Sequence, residues 1–243
     1  EVPREGAANF AAGWVGETES RPETTSGNFA METIHAHEMY ANPFITQMMM
    51  DDASFNLDGW IDDRLTRRFG VLEGTAFVSG DGVAKPHGLL YPAQLATPTV
   101  TIVNSGAAAA VTADGLIALY YELPEFYVGN ATWLAKRSTL KDIRQLKDGN
   151  GQYLWQPGLA AGQPPTIVAR PYRECIDMPA IAANTLSIIF GDIRAAYTII
   201  DRQQMRQVRD PYTSKPKVQL YTTKRVGGQP VLTEAYVVQK IAA

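Results

Sequence analysis

The sequence is short of cysteine, of net charge and of long apolar runs. Among 243 residues only Cys175 carries a thiol, so no disulfide can form within the chain. That suits a protein made in a reducing cytoplasm. The formal net charge is −3, a balance that does not point to strong nucleic-acid affinity. No run approaches the roughly 18 apolar residues that a membrane helix needs. No signal peptide is visible, and we expect no membrane partner. Catalytic signatures are missing too: there is no G-x-S-x-G and no H-E-x-x-H. Gly80 to Lys85 (GDGVAK) lacks the spacing of a phosphate loop, and Lys85 is followed by Pro86 rather than by Ser or Thr. There is no internal repeat and no low-complexity segment. The chain opens at Glu1 without Met, from which we expect an N-terminal part to have been removed or to lie outside these residues.

What is present is a hydrophobic content of 45%, enough for one large domain or two small ones with a real core. The stretch from Asp51 to Leu90 organises the rest. Leu57, Ile61, Leu65, Phe69, Leu72 and Ala76 recur at three- and four-residue spacing, which predicts one helix with a broad apolar stripe. Asn56 is its expected N-cap, and Asp58 sits in the first turn, where the helix dipole favours an acid. From Leu57 to Ser79 the helix spans about 35 Å. Trp60, Val71 and Val78 form a second, smaller apolar cluster on another side. A helix with two apolar sides packs against two things. Gly80-Asp81-Gly82 can supply the positive φ of a tight turn, and Pro86 forbids continuation. Gly70 and Gly74 each cost about 1 kcal/mol relative to Ala inside a helix. Lying off the main stripe, they read as a packing seam or as tolerated exposed glycines.

Residues 8 to 40 read as an extended hairpin. Phe10, Ala12 and Trp14 alternate with Ala11, Gly13 and Val15, and GETESRPETTSGN is its polar tip. In the return arm Phe29, Met31, Thr33, His35, His37 and Met39 alternate with Glu32, Ile34, Glu38 and Tyr40. A hairpin this long must lean on something outside itself. Pro43 to Met50 link it to the helix. Beyond Leu90 we expect a strand at 97 to 104 and a helix from Ala113 to Leu123, capped by Thr112 and closed by Pro124. A strand at 131 to 135 and a helix capped by Ser138 follow, the latter with Leu140, Ile143 and Leu146 inward and Lys141, Arg144 and Lys147 outward. Gly149-Asn150-Gly151 turns into a strand from Gln152 to Trp155. The Gly/Pro-rich loop 156 to 165 reads as mobile. Strands are expected at 166 to 170 and 185 to 190.

Candidate chemistry is sparse. His35 and His37 share one strand face at a spacing that can bind metal, but no Cys or third His stands near in sequence. Asp51-Asp52 and Asp62-Asp63 are carboxylate pairs. Asp62 and Asp63 point outward, Asp63 pairs with Arg67 at i,i+4, and Asp52 is placed to cap the turn before the helix. Cys175 reads as a buried apolar residue.

The string from Met50-Asp51-Asp52 through the long helix, Gly-Asp-Gly, Pro86, Gly88 and Leu89-Leu90 resembles the spine helix and following loop of tailed-phage major capsid proteins. Their fold was first seen in the phage Hong Kong ninety-seven. Phe190-Gly191-Asp192-Ile193 with Tyr197 to Arg202 is a second family-like string. Arg225 to Gly228 with Ala235 to Val238 is a third. Together they cover most of the chain in the right order. The resemblance implies an α+β fold with an extended loop (residues 1–40), a peripheral domain carrying the spine helix (41–108), an axial domain (109–225) and a return strand to the peripheral domain (226–243). It implies a major head protein, not an enzyme, that tiles hexamers and pentamers of a shell. The expected partners are other copies, packaged double-stranded DNA held non-specifically, a portal and cement proteins. The expected place is the particle shell, assembled in the bacterial cytoplasm. No catalytic, cofactor-binding or metal residues are expected. In the family the extended loop lies over a neighbouring subunit, which makes Glu17, Glu19, Arg21 and Glu23 interface candidates; the helix's second apolar side and its bare backbone add Trp60, Gly70 and Gly74. Gly80, Asp81, Gly82 and Pro86 form the turn after the spine helix. The founding phage joins a loop lysine to a neighbour's asparagine. Here no lysine precedes Lys85, so non-covalent closure is expected. The alternatives are an encapsulin-like compartment around enzyme cargo and a small metal-dependent enzyme using His35 and His37.

Overall fold

The computed structural model describes residues 2–5, 12–17, 19–21, 23–24, 29–154 and 166–242. The chain forms two compact units, Glu1–His35 and Ala36–Ala243.

In the first unit, β1 (Val2–Glu5) pairs antiparallel with β2 (Phe29–Glu32), Val2 opposite Glu32 and Glu5 opposite Phe29. The pairing segment therefore lies earlier than the expected one. Residues 12–16 are not strand. Ala12, Gly13 and Gly16, three of those five residues, are of types that form strands poorly. Phe10 lies outside the described residues. The return arm is also shorter than expected. It ends at Glu32, and β3 (Ala36–Ala41) belongs to the second unit.

In the second unit β3 pairs with β11 (Lys217–Pro230), which is flanked on its other edge by β10 (Tyr197–Asp210). A short strand, β4 (Phe44–Thr46), also pairs with β11. The expected link after Pro43 is thus structured: β4 leads into α1 (Gln47–Asp52), capped by Thr46. Asp52 is the last residue of that helix rather than a cap. Asn56 caps α2 (Leu57–Ser79) by accepting from the Gly59 N–H at 3.0 Å. The even-numbered residues of β11 face α2, so Leu220 shares a small core with Ile45, Leu57 and Ile61. Two register shifts in β10, at Asp201/Gln203 and Gln203/Arg206, bend this sheet.

The rest of the unit is a six-stranded mixed sheet in the order β5 (Thr101–Asn104), β12 (Tyr236–Lys240), β9 (Leu186–Gly191), β6 (Thr132–Ala135), β8 (Arg170–Glu174) and β7 (Thr166–Ile167). Ser187 to Gly191 are buried on both faces of β9, and the one polar side chain among them, Ser187, donates to the Ala180 carbonyl at 3.2 Å. Ile188 and Phe190 point into one core and Ile189 into the other. The first core also takes Leu119 and Leu123 from α4 (Ala113–Glu122) and its following turn, and Leu140 and Ile143 from α6 (Arg137–Arg144). Trp133 stacks on Phe190 at 4.3 Å and donates to the Ile167 carbonyl at 2.9 Å. The second core takes Val78, Leu89, Leu90, Met178 and Tyr236. Short helices α3 (Tyr91–Gln94), α5 (Glu125–Val128) and α7 (Ile193–Ala196) and a 3-10 turn at Thr233–Ala235 complete it.

Several expectations shift. The strand expected from 97 starts at Thr101. Lys136, not Ser138, occupies the N-cap of α6, and no side chain caps it. The strand expected at 166 to 170 is a tight hairpin, because Val168 and Ala169 hold φ of 47° and 57°. Of the strand expected at Gln152 to Trp155, Tyr153 bridges Lys147; Trp155 and the loop 156 to 165 lie outside the described residues. Cys175 is half-buried against the second core. A boundary at 225/226 passes through β11, and one at 108/109 divides strands of a single sheet.

Candidate assembly surfaces

The spine helix α2 presents two kinds of surface. Leu57, Ile61, Phe69 and Val78 are buried, while Leu65 and Ala76 are half-buried. Leu72, expected inward, is exposed. Nor do Trp60, Val71 and Val78 form one cluster. Val78 enters the core, whereas Trp60 and Val71 are 51% and 52% exposed. Trp60 carries the Arg64 guanidinium over its ring at 5.2 Å. Within the subunit it is a surface residue. Asp63 pairs with Arg67 at 3.1 Å as expected. Asp62 instead turns to β10, where its carboxylate accepts from Gln207 at 2.9 Å.

The two helix glycines differ. A Cβ on Gly70 meets nothing within 4 Å, so this part of the seam is open. A Cβ on Gly74 meets the Asp177 carboxylate at 3.0 Å, and Thr75 donates to that same carboxylate at 2.7 Å. Beside them, Glu73 holds Lys224 of β11, whose ammonium also lies 3.7 Å from Asp201 of β10. Burial alone would lower the Lys224 pKa. The hydrogen bond and charge of Glu73, with Asp201 behind it, outweigh that and raise it. Sequence reading missed this clasp, since its three members are far apart in the chain.

The turn after α2 is a structural knot. Gly80 has φ −67°, so it is not there for positive φ. It is there for space, because a Cβ would run into the backbone carbonyls of Pro86 and Ala76. Gly82 does take positive φ, 81°. Asp81 accepts from the Val83 N–H at 3.0 Å and pairs with Lys85 at 3.4 Å, and its pKa is lowered, the Val83 bond being the main cause. The chain then folds back: Leu89 and Leu90 donate to the carbonyls of Phe77 and Val78 at 2.9 and 3.0 Å. His87 donates through its backbone to Gly228 at 3.1 Å and accepts from the Tyr197 hydroxyl at 2.6 Å. Tyr236 donates to the Leu89 carbonyl at 2.9 Å. Burial pushes both phenols well above the usual tyrosine range, Tyr197 with help from nearby Tyr236. The knot thereby ties α2 to β11 and to β12, one strand from each sheet.

The arm residues Glu17, Glu19, Arg21 and Glu23 are all exposed. Glu19 closes its own turn, its carboxylate accepting from the Gly16 N–H at 3.1 Å. His35 precedes β3 and His37 lies within it. Among the described residues no cluster of three or more His, Cys, Asp or Glu could hold a metal ion. No helix there is long and apolar enough to cross a membrane.

The second unit thus carries a long, half-exposed spine helix tied at one turn to both of its sheets. The chain belongs to the phage capsid family, whose model matches residues 1–241. It is a major capsid protein of the kind found in tailed phages and gene transfer agents. Among solved structures, the capsid of a native GTA (gene transfer agent) particle is 35% identical, with a TM-score of 0.88 over 100% of this chain and 84% of that one. The capsid of an empty GTA particle is 34% identical, with a TM-score of 0.89 over the same shares, 100% and 84%. The Gordonia phage Cozz structure, 15% identical with a TM-score of 0.68 over 100% of this chain and 81% of that one, shares the fold. No curated protein matches the chain.

Proposed function

We propose that copies of this chain tile hexamers and pentamers of a closed shell around double-stranded DNA, in a gene transfer agent or a tailed-phage head. The observation that carries this reading is the whole-length likeness to the capsid of a native GTA particle. On this reading residues 1–35 are the loop that reaches a neighbour, and the second unit divides into a peripheral part around α2 and an axial part that reaches the capsomer axes. A portal closes one vertex, and cement proteins bind outside. Assembly takes place in the bacterial cytoplasm, and DNA is held without sequence readout. Negative-stain microscopy of the purified protein, followed by nuclease treatment and extraction, tests it. Closed particles with protected DNA are expected. Particles holding a protein cargo and no DNA would favour the encapsulin-like compartment, and a monodisperse monomer would end both readings.

A further inference from the structure

Two exposed surfaces of opposite sign stand on one layer of the second unit. Between Lys85 and Lys136 the sequence has no lysine or arginine. The end of α4 and the start of α5 therefore present only acid. Glu122 and Glu125 are exposed beside Tyr121 and Phe126, whose side chains are 77% and 88% exposed. Phe126 touches Tyr127 edge-on at 5.2 Å and otherwise faces solvent. Aromatic rings placed this way are the material of interface hot spots.

On α6 the pattern is reversed. Arg137, Lys141 and Arg144 recur at four- and three-residue spacing and are exposed, while Leu140 and Ile143 on the opposite side are buried. Among the described residues Glu122, Glu125, Arg137 and Lys141 make no ion pair. Both surfaces ride on one rigid layer, because Leu119, Leu123, Leu140 and Ile143 share a core.

We propose that the acidic aromatic ledge of one copy (Tyr121, Glu122, Glu125 and Phe126) docks on the basic face of α6 in the next copy. Each chain offers both halves of the contact. Such a head-to-tail contact is heterologous, and repeated with a closing rotation it makes a ring. Exposed charge pairs are weak singly. Here the two rings exclude water around them, and the opposite signs fix the register and reject a ledge-to-ledge approach. The contact rests on the shell reading above and names the surfaces that close a capsomer.

Charge swapping tests it. Glu122→Lys with Glu125→Lys, and separately Lys141→Glu with Arg144→Glu, are each expected to stay folded by circular dichroism and to lose rings and particles in sedimentation. Combining all four changes in one chain restores attraction and is expected to restore assembly. Mixing the two defective variants should restore six-membered rings, in which the two can alternate, but not five-membered ones. Single-swap variants that assemble like the unmodified chain would overturn the contact, as would a folded four-change variant that stays unassembled. An α6 swap that leaves particles intact but empty of DNA would assign that face to nucleic acid instead. Failure of the unmodified chain to form any particle would strike at the shell reading rather than at the choice of surfaces.

Discussion

Single positions in α2 separate what folds the subunit from what joins subunits. Gly80→Ala places a methyl against backbone carbonyls that cannot move aside. We expect a loss of about 1–3 kcal/mol, read as a lowered denaturant midpoint. Gly70→Ala is the contrasting case. Its Cβ meets open space, so the isolated subunit should gain up to about 1 kcal/mol from helix propensity. If Gly70 lines a seam for a neighbour, the same substitution lowers particle yield while the melting temperature rises. Unchanged yield would remove Gly70 from the interface. Trp60→Asp belongs with this pair. Half-exposed and stacked by Arg64, Trp60 gives the subunit only about 1 kcal/mol. The substitution should leave folding nearly intact and depress assembly more than Arg64→Ala does. Normal particle yield from Trp60→Asp would show that this side faces solvent.

At the scale of elements, the knot after the spine helix carries a pH signature. Tyr197 and Tyr236 both titrate later in the folded chain than the ordinary 10.0. The unfolded chain therefore gives up those protons first. Stability is full below pH 10.0 and falls as the pH climbs above it. Lys224, raised above 10.5 by Glu73 and Asp201, adds to the loss in the same direction once the pH passes that value. Tyr197→Phe should cost about 1 kcal/mol at pH 7 through its lost bond to the His87 carbonyl, yet flatten the alkaline fall. Denaturant midpoints from neutral pH to pH 11 check both parts. An unaltered alkaline slope would mean that the Tyr197 phenol is not held neutral by burial.

For the whole molecule the prediction concerns how a shell is held shut. The arm carries Glu17, Glu19, Arg21 and Glu23 but no amine, and arginine stays protonated at accessible pH. No isopeptide bond can start from that loop. Closure then depends on exposed charge pairs worth about 0–1 kcal/mol each and on whatever apolar surface the contacts bury. Particles boiled in detergent under reducing conditions should give a single monomer band; a ladder of covalent oligomers would refute non-covalent closure. Raising salt should loosen assembled particles, because exposed pairs are screened within about 10 Å at 0.1 M.

Local patterns were readable from the residues alone. The bounds of α2, its Asn56 cap, the Thr112-capped helix and the apolar strand at 186–191 all follow from periodicity and capping, which act between near neighbours. The family is legible too, because three strings in order cover most of the chain. Partner choice was not legible. That β3 leaves the arm for β11 depends on partners far along the chain, Ala36 opposite Gly227 and Ala41 opposite Thr222, whose hydrogen bonds have no local signature. Trp60 looked like core because helical spacing shows which residues share a side, not whether anything covers it. The Lys224–Glu73–Asp201 clasp and the tyrosine ties at His87 and Leu89 join α2 to both sheets through residues that only tertiary packing brings together. Sequence by itself determined α2, the Thr112-capped helix and the family, because these are written in short-range patterns. The tertiary structure decided which faces are spent on the subunit and which are left for its neighbours, because burial is a property of the folded whole.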